Sequence, residues 1–146
     1  MKKMWRGIVS LLLCVCMLSG CAGGSTGSGD GSDEKADGIK MYLTVSTADT
    51  FRQTIIDAAQ KEADKVGAEL VVKDAEGSLE NQLAHIKEAV DGGYNVILCN
   101  PVDVDTTLQL QVAAGDLPIV FFNSCPSEER LKADKYVFVG SNEEEA

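Results

Sequence analysis

Side chains able to do chemistry fall in short groups, each just after an apolar run. Ser46, Thr47, Asp49 and Phe51 follow the first run; Asn100, Asp103 and Asp105 follow a later one. Asn123 and Ser124 follow the next, and Ser141 and Asn142 the last. The set holds hydroxyls, amides, carboxylates and one aromatic ring. Such groups hydrogen-bond a neutral, polyhydroxylated ligand, and an aromatic face stacks on the C–H face of a sugar ring. The same residue types also cap helices and close turns. That plain role is expected of Asp105 and Ser78. Asp49 and Asn123 are instead expected to meet ligand, because both lie where strands end.

Catalytic patterns are missing from the sequence. No G-x-G-x-x-G follows the first strand, no G-x-S-x-G elbow occurs, and no Cys/His cluster has metal-ligand spacing. The lone histidine, His85, falls beside an apolar helical stripe and is expected to face solvent. Asp103 and Asp105 resemble a carboxylate pair, but Pro101 just before them makes a turn and a cap the better expectation. Asp74 and Glu76 belong to a loop, and Glu143–Glu145 to a solvated end. No catalytic residue, metal or cofactor is expected, and the chain is not expected to be an enzyme.

The elements that must position these groups alternate regularly. Ile39–Val45 reads as a strand and Thr50–Val66 as a helix. In that helix Thr50 and Gln53 fit a capping box, Ile55, Ala59, Ala63 and Val66 share a face, and Gly67 supplies the stop. Ala68–Asp74 is a second strand. Ser78–Asp91 is a second helix with a stripe of Leu79, Leu83, Ile86 and Val90, ended by Gly92 and Gly93. Val96–Asn100 is a third strand, broken at Pro101; a helix capped by Asp105 then runs to Ala114. Ile119–Asn123 and Tyr136–Val139 complete the strands. Strands alternating with helices specify an α/β fold with a parallel, Rossmann-like sheet. The expected order is 2-1-3-4-5, with helices on both faces. In such sheets ligands bind beyond the carboxyl ends of the strands, where the order reverses.

The N-terminus is a targeting segment. Lys2, Lys3 and Arg6 precede an apolar run, Gly7 to Met17, that is shorter than the about 20 residues a membrane-spanning helix needs. Leu18-Ser19-Gly20-Cys21 resembles the lipobox of bacterial lipoproteins, in which the cysteine is lipidated and becomes the first residue. Residues 1–20 are therefore expected to be a signal peptide. Cys21 is expected to carry the lipid (diacyl chains with a third, palmitate-like acyl group) that holds the protein to the cell membrane on its extracytoplasmic side. Residues 21–38, rich in glycine and serine, form a tether, and the folded part is 39–146. The whole chain carries a net charge of −10; without the three leading cations, ten basic residues face 23 acidic ones. That balance opposes binding to nucleic acid or to anionic headgroups through the folded surface. Cys99, inside an apolar strand, and Cys125, in a loop, are expected to be two unpaired thiols.

Several separated blocks agree in order with one family. Gln60-Lys61-Glu62-Ala63-Asp64-Lys65-Val66-Gly67 and Asn100-Pro101-Val102-Asp103 resemble the ribose/galactose class of bacterial periplasmic solute-binding proteins. Asp49-Thr50-Phe51, Leu117 to Asn123, Pro126 and Tyr136 to Gly140 look most like its galactose/glucose-binding branch. The resemblance implies the first lobe of a type I periplasmic binding protein, apparently truncated, because family members continue into a second lobe. It implies a monosaccharide ligand and a partner in the membrane, either an ABC permease or a sensor such as a histidine kinase or chemoreceptor. By the same resemblance Asp49 accepts hydrogen bonds from sugar hydroxyls, Phe51 stacks on the ring, Asn123 bonds a hydroxyl, and Asn100 occupies a cleft position of the ribose-binding relatives. Ribose-type relatives carry Asp-Arg after the fourth strand; here Asn123-Ser124 stands in that place, which favours a hexose.

Overall fold

The computed structural model describes residues 38–140. Residues 1–37, where the expected signal peptide, Cys21 and most of the expected tether fall, lie outside the described residues, as do Ser141, Asn142 and Glu143–Glu145. Five strands form one sheet: β1 (Lys40–Val45), β2 (Glu69–Asp74), β3 (Val96–Cys99), β4 (Ile119–Phe122) and β5 (Tyr136–Val139). Their order is β2-β1-β3-β4-β5, and every neighbouring pair is parallel. The helices are α1 (Thr50–Val66), α2 (Leu79–Asp91) and α3 (Thr107–Ala114). Single 3₁₀ turns, Val104–Thr106 and Glu128–Leu131, precede α3 and β5. The expected order and parallel sense are those observed.

Period-two alternation along the strands divides the core into two layers. Tyr42, Ile97, Cys99, Ile119 and Phe121 point to one face, where Ile86 and Ala89 of α2 and Leu110 and Ala114 of α3 meet them. Full burial of a side chain such as Phe121 is worth about 1.5–3 kcal/mol. Leu43 and Val45 point to the other face and pack on Ile56 of α1, with Leu70, Val72, Leu98 and Phe122 around them. Coverage of that second face stops short of β5. Val137 and Val139 are 49% and 59% exposed, so among the described residues helices cover both faces of the sheet only as far as β4.

Two helix ends and one helix face correct the readings made from sequence. The N-cap of α1 is Asp49, not Thr50. Its backbone is extended, its carbonyl accepts from Gln53 N–H at 2.8 Å, and its carboxylate accepts from Arg52 N–H at 2.7 Å. Gln53 turns forward to Asp57 instead of back to a cap. Ahead of α3 the cap is Asp103, which accepts from the backbone N–H of Asp105 at 2.9 Å. Asp105 therefore sits inside the 3₁₀ turn. In α2 the buried face runs through Gln82, Ile86 and Ala89, while Val90 is 42% exposed. The small side chain of Ala89 lets the helix close on the sheet, and the stripe rotates away from Val90. Ser78 caps α2 as expected, accepting from Asn81 N–H.

Candidate functional site

The carboxyl edge of β1, β3 and β4 is organised around one buried amide. Asn100, directly after β3, is fully buried. Its Oδ1 accepts from Ser46 Oγ at 2.8 Å and from Arg52 Nε at 2.7 Å. Its Nδ2 donates to Ser124 Oγ at 3.3 Å and reaches the Phe122 carbonyl at 3.5 Å. Backbone bonds extend the same centre: Asn100 N–H donates to the Thr44 carbonyl, and the Asn100 carbonyl accepts from Gln82 Nε2 at 3.0 Å. One side chain thus ties the ends of three strands to the first turn of α1. A buried amide this fully bonded fixes geometry, because any lost partner would leave an unsatisfied polar atom.

Above Asn100 the groups become accessible. Phe51 is 62% exposed in the first turn of α1. It lines a shallow depression with Ile55, Phe122, Asn123, Val139 and Gly140. Asn123 is exposed and takes a left-handed backbone, φ 63°, closed by Ser124 N–H donating to the Phe122 carbonyl at 2.7 Å. Asparagine tolerates that conformation better than most residues, and such strain recurs at ligand clamps. Asp49 is half exposed, and its carboxylate pairs with the Arg52 guanidinium. The hydrogen bond from Arg52 N–H, reinforced by the guanidinium charge, holds the Asp49 carboxyl below the usual carboxylate range. The structure therefore brings Phe51 and Asn123 to one depression, while Asp49 is not among its lining residues and is linked to the buried Asn100 through Arg52.

Two participants escaped the sequence reading. Arg52 and Gln82 belong to none of the sequence groups named above, yet both reach Asn100. A cation in the first turn of a helix, against the dipole, was the one available signal for Arg52. His85 also departs from expectation. It is partly buried against the sheet, with Nδ1 3.1 Å from Thr44 Oγ1, beside Tyr42, whose hydroxyl donates to Glu88. Burial, followed by the nearby Lys73 charge, lowers its pKa. Cys99 is a buried free thiol and Cys125 an exposed one, as expected. No cluster of three or more His, Cys, Asp or Glu among the described residues is placed to hold a metal. No helix among them is long and apolar enough to cross a membrane.

The sequence model of the periplasmic binding protein domain matches residues 41–146, from β1 to the end of the chain. The chain belongs to that family. A stretch of 66 residues is 41% identical to the ribose import binding protein of Escherichia coli. That stretch is 44% of this chain and 22% of the relative. The ribose import binding protein of Haemophilus influenzae is 42% identical over 62 residues, 42% of this chain and 21% of that one. Among solved structures, an ABC transporter solute-binding protein from Bacillus halodurans with bound myo-inositol superimposes with a TM-score of 0.58 at 25% identity. It covers 79% of this chain and 38% of that one. A solute-binding protein from Mycobacterium smegmatis with bound glycerol gives 0.58 at 27%, covering 61% and 32%. The chain thus aligns with about a fifth of its curated relatives' length and about a third of the solved ones. Its sheet is that of a type I periplasmic binding protein lobe of the ribose class.

Proposed function

We propose that this chain forms part of an extracytoplasmic binding protein that captures a monosaccharide, a galactose- or glucose-like hexose, for an ABC importer. Lipid on Cys21 holds it to the cell membrane. The observation that carries the reading is the exposed Phe51 ring, which lines a depression with Asn123 at the strand-end edge, two residues after the Asp49 cap of α1. A large apolar ring left this exposed beside oriented polar groups suits the amphipathic face of a sugar. Support also comes from the names of the relatives, which are import or solute-binding proteins. Asn100 acts as the organiser that keeps Ser46, Arg52 and Ser124 in place. Binding, not a bond-breaking step, is the activity.

Calorimetric titration of the protein carrying this chain with D-galactose, D-glucose, D-ribose, D-allose and myo-inositol tests the reading. Saturable binding of one hexose, with galactose or glucose preferred, is expected. Preference for ribose would replace the hexose assignment, and no binding of any of the five would overturn the function. A Cys21→Ala substitution should move the protein from the membrane fraction to the soluble one. Unchanged membrane association would remove the lipid anchor.

A further inference from the structure

We propose that Arg52 and Asp49 act together as a fixed donor–acceptor fork for two adjacent hydroxyls of the ligand, which makes Arg52 the specificity-determining residue of this edge. The proposal rests on the monosaccharide-binding reading above. Arg52 is held from two sides. Its Nε donates to Asn100 Oδ1 at 2.7 Å, across 48 residues of sequence, and one terminal nitrogen donates to Asp49 Oδ2. The other terminal nitrogen makes no hydrogen bond among the described residues, and the side chain is 23% exposed. Guanidinium donors lie in one rigid plane, so fixing two of them aims the third.

Asp49 supplies the complementary half. Its Oδ1 accepts from Arg52 N–H and its Oδ2 from the guanidinium, which leaves each oxygen with accepting capacity on a carboxylate that is 48% exposed. One hydroxyl of a vicinal diol would donate to Asp49 while its neighbour accepts from Arg52. A lone carboxylate accepts from any hydroxyl in range; a fork with one donor and one acceptor at fixed separation demands two hydroxyls at matching spacing. The two charges cancel, so the fork favours a neutral ligand. A surface ion pair between residues i and i+3 would be the plain alternative. It explains neither the bond from Arg52 to the buried Asn100 nor a cation placed against the positive end of α1. Local rules are broken most often where function demands it.

The test titrates the protein carrying this chain with the same five sugars, then with every monodeoxy analogue of whichever binds. Removing either of two adjacent hydroxyls should weaken wild-type binding roughly tenfold to a hundredfold, the worth of a charge-assisted hydrogen bond. Arg52→Lys keeps the charge but cannot reach both Asn100 and Asp49. It should weaken the parent sugar at least about tenfold and shrink the deoxy penalty at one of the two positions to under about threefold. Arg52→Met should do the same. If either variant fails to fold, the wild-type deoxy series decides by itself, and the lack of any adjacent sensitive pair overturns the proposal. Unchanged deoxy penalties in a folded variant overturn it too, while the sugar-binding function stands. No binding of any sugar by the wild type removes both.

Discussion

Gln82 and Asn100 are joined through the break that follows β3. Gln82 Nε2 donates to the Asn100 carbonyl at 3.0 Å, and Gln82 Oε1 accepts from the Val102 N–H at 2.9 Å. A fully buried amide from α2 therefore replaces the sheet bonds that end at Pro101. The turn carrying Asn100 is held from below by this pair and from above by Ser46 and Arg52.

Replacing Gln82 with leucine keeps the volume and strands the buried Asn100 carbonyl and the partly buried Val102 N–H. Gln82→Leu should cost about 1–3 kcal/mol, the penalty for unsatisfied buried polar atoms. Urea unfolding of wild type and variant measures it. A loss below about 0.5 kcal/mol would show that the Gln82 bonds do not hold the turn.

His85 should make stability depend on pH. Its folded-state pKa is lowered from the ordinary 6.5, by burial first and by Lys73 second, with Glu88 and Asp74 opposing. The unfolded chain therefore binds the proton more readily than the folded one. Stability from this group is complete above pH 6.5 and is lost as pH falls from there through the lowered value. His85→Gln, which retains a partner for Thr44, should flatten that part of the melting-temperature profile. The carboxyls of Glu88 and Asp49 are also held low, and their losses fall in a separate, more acid window. An identical slope below pH 6.5 in wild type and variant would discard the His85 assignment.

The two thiols should differ in reactivity. Cys99 is fully buried among Tyr42, Ile97 and Phe121, and burial alone pushes its thiol up; Cys125 is exposed in the loop after β4. Iodoacetamide followed by mass spectrometry should label Cys125 in the folded protein and Cys99 only after unfolding. Equal labelling of both under native conditions would contradict the packing of the sheet face.

Much of the fold was legible because its signals are local. Gly67 and the Gly92-Gly93 pair end helices, and Val96-Ile97-Leu98-Cys99 is an apolar run bounded by a turn residue, so strands and order could be read directly. Caps were less certain. Asp49 and Thr50 are both good N-caps, as are Asp103 and Asp105, and only backbone geometry chooses between neighbours. Tertiary partners were invisible. Arg52 and Gln82 lie 48 and 18 residues from Asn100, and His85 lies 41 from Thr44. Nothing in helical periodicity says that a polar residue beside the apolar stripe will find a buried mate across the sheet.

The central claim is that a monosaccharide binds at the strand-end edge, against Phe51 and Asn123. Calorimetry on the protein carrying this chain, with its preferred sugar, should be run on wild type, Phe51→Ala and Asn123→Ala. Phe51→Ala removes an exposed ring and Asn123→Ala an exposed amide, so neither opens the core, and the left-handed backbone at residue 123 makes the second variant cost about 1 kcal/mol of stability at most. The account predicts that each variant remains folded and binds roughly tenfold to a hundredfold more weakly than wild type. Wild-type affinity in both variants would place the ligand elsewhere and contradict the account.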